Sequence, residues 1–341
     1  MEIGADVFSL IAKPYSIDEK VMINLKSKEI LIIEESYETL ETSEVLSKLI
    51  EKAVAKSKED GKQIIILDVG GYFALPLSKI NKEAEKYIAG VVEDTTFGHN
   101  RYLEHSKNVR VPIYSVARSN LKEIEARFVG RDAVYSMDYV LRQVGVTISG
   151  RNALVIGYGM IGKNVARTLK SADLNVYVYD KHDHKNLHAF IDGYHIHKKR
   201  ELLKQADIIF SATGDPNGAI SFKELEETKD NVILASGGSR DSEFDIKTLK
   251  EQANREKPFG AQLVEYRLPH SRHVIVAKSG TAVNFILPSL PIELLDLVFS
   301  EILLCALLLL KDNEHKMKVV NVSPDNFLDE VALDWLRFVN T

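Results

Sequence analysis

The stretch that most constrains the fold runs from Ala153 to Ser171. An apolar run, Ala153 to Ile156, opens directly into Gly157-Tyr158-Gly159-Met160-Ile161-Gly162, and a helical pattern follows from Lys163 to Ser171. A bare GxGxxG says little. With a strand before it, a helix after it and an acid closing the next strand, it predicts a dinucleotide-binding turn. Gly157 lets the chain turn tightly out of the strand, Gly159 lets backbone approach a pyrophosphate, and Gly162 lets the helix pack on the strand. Met160 and Ile161 lie where the helix opens and its free N–H groups face an anion. Val176 to Tyr179 reads as the next strand and ends on Asp180, eighteen residues beyond Gly162. A carboxylate there takes a ribose 2′-hydroxyl and repels a 2′-phosphate, so NAD is expected over NADP, though Lys181 beside it weakens the exclusion. The plain alternative is a glycine-rich strand–helix turn without a ligand.

Further apolar strands at Ala206–Ser211, Asn231–Ala235 and Val274–Ala277 alternate with helical segments, the pattern of a parallel α/β sheet. Upstream, Glu29–Glu34 reads as a strand. Val45, Leu46, Leu49, Ile50 and Val54 mark a helix over Ser43–Lys58, stopped by Gly61. Ile64–Leu67 is an uninterrupted apolar run, read as a strand buried on both faces, and it closes on Asp68-Val69-Gly70-Gly71. Ile113–Val116 repeats that pattern more weakly. Ser119–Val144 reads as one or two helices with Glu123 and Arg127 as an i,i+4 ion pair. The expected fold is α/β, with a Rossmann-type doubly wound parallel sheet over 132–285. A second α/β domain combines the N-terminal part (1–131) with the C-terminal part (286–341). At 341 residues two domains are the expectation.

Composition narrows the function classes. Forty-four Lys+Arg against forty-nine Asp+Glu leaves a net charge of −5, which argues against a nucleic-acid partner. A single cysteine, Cys305, excludes an intrachain disulfide and a CxxC-type zinc or redox site. Met1–Asp6 has neither a basic n-region nor an apolar h-region, so a cytoplasmic setting is expected. The leucine-rich segment from Ile286 to Leu310 is broken by Glu293, Asp296 and Glu301. Its unbroken part, Ile302–Leu310, falls short of the roughly 20 apolar residues a bilayer needs. It reads as a buried or subunit-interface helix, with no membrane role. His182, His184, His188, His195 and His197 invite a metal hypothesis, and His195 and His197 would share a strand face. No carboxylate or cysteine completes a ligand spacing, so an exposed segment without metal is expected.

Several motifs in the same order show that residues from about Leu67 to Val331 resemble the S-adenosylhomocysteine hydrolases. Leu67-Asp68-Val69-Gly70-Gly71 is similar to the family's LDDGG, and Glu93-Asp94-Thr95-Thr96-Phe97-Gly98 to its EETTTG. A stretch from Val111-Pro112 to Gly130 aligns without gaps. Gly157-Tyr158-Gly159 falls in the family's nucleotide turn, Thr213-Gly214 at its TTG strand end, Val283-Asn284 on its VN pair, and Leu328–Ala332 on its LDEAVA helix. The resemblance implies bound NAD. It places Thr95 and Thr96 at the nicotinamide ribose, Asn284 at the nicotinamide amide, and Thr213 and Gly214 along the cofactor. Helices after the VN pair build the family's subunit interface, which implies a homo-oligomer, dimer or tetramer.

In that family NAD oxidises the ribose 3′-hydroxyl of the substrate, homocysteine is eliminated and water is added, and the ketone is reduced back. Lys122 falls at the family's catalytic lysine and Asp94 at a family glutamate. The second aspartate of LDDGG is Val69 here. The acid and amide of the family's KSKFDN are Ala126 and Arg127, the histidine of its NIGHFD is Ser239, that of its GHPS falls at Pro291, and its active-site cysteine is Arg131. No counterpart of the adenine-gripping HMTVQT segment or of the NAD-covering tail is found, so NAD is expected to exchange as a cosubstrate. Elimination and hydration need proton-transfer groups at the reacting carbons, and most are replaced. The expected function is an NAD-dependent oxidoreductase on a small hydroxyl- or keto-metabolite, with Lys122 as proton carrier and general base if burial lowers its pKa, and Asp94 as its polar partner. Asp68, Ser239 and Arg240 are candidate substrate residues. The alternatives are a catalytically silent NAD-binding regulator and a divergent nucleoside thioether hydrolase. Read without the resemblance, Lys122 sits on a solvated helix face and Asp94-Thr95-Thr96 is a helix cap.

Overall fold

The computed structural model describes residues 5–13, 17–28, 30–42, 44–238, 241–269, 272–311, 320–322 and 325–339. Strand pair β1 (Ser9–Ala12) and β2 (Leu31–Glu34) opens the chain, parallel and in register from Ser9 opposite Leu31. Strands β3 (Ile64–Asp68), β4 (Ile88–Glu93) and β5 (Ile113–Ser115) follow. The second half holds β6 (Asn152–Ile156), β7 (Asn175–Tyr179), β8 (His195–Ile196), β9 (Ile208–Ser211) and β10 (Val232–Ser236). It continues with β11 (Arg255–Pro258), β12 (Leu263–Arg267) and β13 (His273–Ala277), and β14 (Val320–Asn321) lies near the C-terminus.

The large sheet has the order β11-β12-β13-β10-β9-β6-β7-β8. From β13 to β8 every pairing is parallel, and β12 and β11 add an antiparallel edge. The winding runs from β6 outward through β7 and β8, then restarts at β9 on the other side and runs out through β10 and β13. It therefore reverses between β6 and β9, where doubly wound sheets open a ligand crevice beyond the carboxyl ends of the strands. Strands β9 and β10 are buried along their whole length, as apolar runs covered on both faces must be.

The smaller sheet has the order β14-β5-β4-β3, all parallel, so one strand from the C-terminal part completes a sheet begun by the N-terminal part. Strand β3 lies at its edge and Leu67 is 59% exposed, so the expected burial of Ile64–Leu67 on both faces does not hold. The central strand β4 has no apolar run strong enough to predict it, because Gly90 interrupts it. A Cβ at Gly90 would press on the Pro112 carbonyl and Leu309, and the β3–β4 register shifts just there. A strand-interior glycine is a mark of such close approach.

Ser119–Val144 forms one continuous helix, Asn120–Gln143, capped by Ser119, whose Oγ accepts from the Lys122 N–H at 3.1 Å. The same hydroxyl donates to the buried Glu301 Oε2 at 2.7 Å, tying the helix start to helix Ile292–Lys311. Further along, a Cβ at Gly130 would meet the Ile161 carbonyl and the Val165 N of helix Met160–Ser171, so the two helices touch backbone to backbone there. The expected domain boundary at 131/132 therefore falls inside a helix shared by both halves. Helix Ile292–Lys311 buries Leu297, Val298, Cys305, Ala306 and Leu309 and leaves Phe299, Leu303 and Leu310 exposed. No helix among the described residues is long and apolar enough to cross a membrane.

Candidate active site

One cleft of about 790 Å³ lies along the carboxyl ends of β6, β7, β9, β10 and β13 and faces the smaller sheet. Its floor is the predicted turn. Gly157 sits at φ 92°, and a Cβ there would press on the Ala212 carbonyl at the end of β9. At Gly162 a Cβ would fall on the Gly157 carbonyl oxygen, so only glycine lets the helix start this close to the strand. Gly159 has nothing within 4 Å of its missing Cβ and faces the open cleft with Met160 and Ile161. This is a cradle at a helix N-terminus with room for phosphate oxygens, and it fits NAD.

Asp180 closes β7 and lines the cleft. It accepts from the Tyr158 N–H (2.8 Å) and the His182 N–H (2.9 Å), with Lys185 at 3.6 Å. Lys181 turns to Asp215 Oδ2 at 2.6 Å. Thr213 and Gly214 are shaped by a residue the sequence did not reveal. The buried carboxylate of Glu243 accepts from Ser211 Oγ (2.6 Å), Thr213 N (2.9 Å), Thr213 Oγ1 (2.8 Å) and Gly214 N (2.9 Å). Burial pushes its pKa up against those bonds. Asn100 Nδ2 from the smaller-sheet side donates to the Gly214 carbonyl at 2.9 Å, so the two halves meet at this loop. Asn284 is 3% exposed and lines the cleft beside Phe285.

On the opposite wall, Thr95 caps helix Thr96–Glu104 and also lines the cleft with Thr96, so capping and site position coincide. Glu93 is wholly buried beneath it, accepting from Gly70 N (3.1 Å), Gly71 N (2.9 Å), Thr95 N (2.7 Å) and Thr95 Oγ1 (2.7 Å). Burial, with Asp68 nearby, holds Glu93 well above the usual carboxylate range. Asp68 does not line the cleft. Its oxygens are spent on Tyr72 N, Phe73 N and the Tyr102 hydroxyl (2.8 Å), which corrects its expected substrate role to one of holding the glycine loop. Ser239 and Arg240 lie outside the described residues.

Lys122 Nζ stands 2.8 Å from Asp94 Oδ1 and also pairs with Glu125, one turn on along the same helix. All three line the cleft with mostly covered side chains. Glu123 and Arg127 form no ion pair among the described residues. Burial alone would lower the Lys122 pKa, but Asp94 and then Glu125 outweigh it and hold the pKa above its ordinary value. The condition set for Lys122 as a general base, a pKa lowered by burial, is therefore not met with Asp94 and Glu125 beside it. Burial, reinforced by Asp94, pushes the Glu125 carboxyl up, with Lys122 opposing. Burial thus biases the Glu125 carboxyl towards holding a proton. The sequence concealed it in a charged helix run. Val69, in place of a family acid, also lines the cleft at 41% exposure. Of the five histidines, His182 reaches the cleft rim and the others follow β7 on the exposed side. No grouping of three metal-ligating side chains occurs among the described residues.

Residues 128–288 match the family described as S-adenosyl-L-homocysteine hydrolase, NAD binding domain. An adenosylhomocysteinase of Thermoplasma volcanium is 27% identical over 97% of this chain and 80% of its own length. An S-inosyl-L-homocysteine hydrolase of Methanopyrus kandleri is 30% identical over 64% of this chain and 51% of its own. Among solved structures, a glyoxylate reductase from Paecilomyes thermophila is 18% identical, with a TM-score of 0.45, over 71% of this chain and 77% of that one.

Proposed function

We propose, for a chain that is a divergent relative of the adenosylhomocysteinases and carries their NAD-binding domain, an NAD-dependent oxidation or reduction of a small hydroxyl- or keto-bearing metabolite rather than hydrolysis of S-adenosylhomocysteine. One observation carries the reading. The cleft keeps an ordered proton-handling trio, Asp94, Lys122 and Glu125, while Val69 and Ala126 stand where the family has acids. NAD, when bound, supplies the acceptor for a hydride. The chain's own groups manage the hydroxyl. The Lys122 ammonium donates to the substrate oxygen and stabilises negative charge as it develops there. The hydroxyl proton passes to the Glu125 carboxylate as the carbon's hydrogen leaves as hydride, giving a ketone and a protonated acid. Asp94, at the end of the neighbouring strand β4, orients Lys122. Hydration chemistry would need further acids or histidines at the neighbouring carbons, and an apolar Val69 cannot serve.

The test is incubation with NAD and a panel of hydroxy compounds, following absorbance of the reduced nicotinamide. Turnover that falls at least 100-fold in Lys122→Ala is expected, on the scale of acid–base catalysis. NAD binding without turnover of any substrate would favour a regulatory protein. Release of homocysteine from a nucleoside thioether would favour a hydrolase.

A further inference from the structure

The chain beyond β13 makes a turn that ordinary side chains avoid. Lys278 sits at φ 46° and Ser279 at φ 53°, followed by Gly280 at φ 83°. The other described non-glycine residues with positive φ are Asp173 and Asn231, types that tolerate the left-handed region. Lysine and serine have no such tolerance, and strain of this kind gathers where a side chain must be aimed. The strained turn brings Lys278 to the cleft wall beside Thr281, Ala282 and Asn284. Its ammonium donates to the Ala282 carbonyl at 3.3 Å and lies 5.2 Å from the Phe285 ring centroid.

Lys278 differs in charge balance from four other lysines of the cleft, while Arg118, also on the cleft, is exposed and donates to Asn100 Oδ1. Lys122, Lys181, Lys185 and Lys199, which also line the cleft, each pair with a carboxylate. Lys278 has no carboxylate partner among the described residues. It is half-buried, and burial lowers its pKa with no acid opposing the shift. A desolvated cation without a counter-charge is unfavourable until an anion arrives. Its place along the sheet says which anion. In the order β13-β10-β9-β6-β7, Lys278 stands four strand spacings from Asp180, about 19 Å at 4.8 Å per strand. That is far from the ribose carboxylate and beside Asn284, which the resemblance places at the nicotinamide amide.

We infer that Lys278 is the anion-recognition residue of the substrate site and that the substrate is a small hydroxy or keto acid, its carboxylate held by the Lys278 ammonium. The inference rests on the oxidoreductase reading and names its substrate class. Cofactor phosphate is the other source of the same chemistry, and the test separates the two.

Calorimetry on the full chain uses NADH, oxamate as the carboxylate probe and oxamide as its neutral analogue. Oxamate should bind the NADH-loaded protein and oxamide should not. Lys278→Gln should weaken oxamate at least tenfold while leaving NADH within twofold, and Lys278→Arg should retain oxamate. Equal binding of the two probes, or a Lys278→Gln protein that keeps oxamate, would overturn the inference. So would one that loses NADH instead, which would assign the lysine to the cofactor's phosphates. Oxamate is also titrated without nucleotide, so that a protein failing to take NADH sinks the oxidoreductase reading while the carboxylate preference of Lys278 is still read.

Discussion

At the scale of single residues, the glycine turn was legible because each glycine answers to a backbone demand that pattern alone announces. Gly162 is the sharpest case, since its missing Cβ leaves space for the Gly157 carbonyl. Gly162→Ala must push helix Met160–Ser171 off β6. A loss of about 1–3 kcal/mol is expected for such overpacking, read as a lowered midpoint in denaturant, together with loss of NADH binding by fluorescence titration. Unchanged stability would mean that the helix can slide without cost. The buried acids were not legible. Glu93 and Glu243 look like surface residues in a sequence, because acids are seldom buried. What makes them structural is their partners, and Gly70 for Glu93 and Thr213 for Glu243 lie far off along the chain.

Among elements, helix Thr96–Glu104 joins the site to a pH response. His99 points inward from it, its Nδ1 2.9 Å from Ser115 Oγ on β5. Burial, then nearby Arg118, lowers the His99 pKa from 6.5 to about 4. Between those values the unfolded chain binds a proton that the folded chain refuses. The contribution is therefore fully present above about 6.5 and is lost as pH falls towards about 4. Denaturant midpoints should decline across that window, and less steeply in His99→Gln. An identical slope in both would rule out His99 as the source. Most elements could be read from periodicity. Strand β4 and the β11–β12 edge could not, because Gly90 breaks one run and β11 is three consecutive exposed charges followed by a proline.

For the molecule as a whole, helix Ile292–Lys311 spends one face on the smaller sheet and shows Phe299, Leu303, Leu307 and Leu310 on the other. Helix Asp325–Val339 adds exposed Leu333, Leu336 and Phe338. Apolar exposure of this kind suits an interface between copies, in line with the homo-oligomer expected from the leucine run. Light scattering should give a multiple of the 38.3 kDa chain mass, reduced by Phe299→Glu. A clean monomer in the native protein would refute it. The continuous helix Asn120–Gln143 has a different consequence. Lys122 and Gly130 lie eight positions apart on it, about 12 Å at 1.5 Å rise per residue. It works as a ruler: the distance from the ammonium to the cofactor helix is set by helix geometry and not by how far the cleft stands open. The return crossing after Ile286 is held to the same helix, where Ser289 Oγ donates to Asp132 Oδ2 at 2.8 Å, so both passages of chain between the two sheets bear on it.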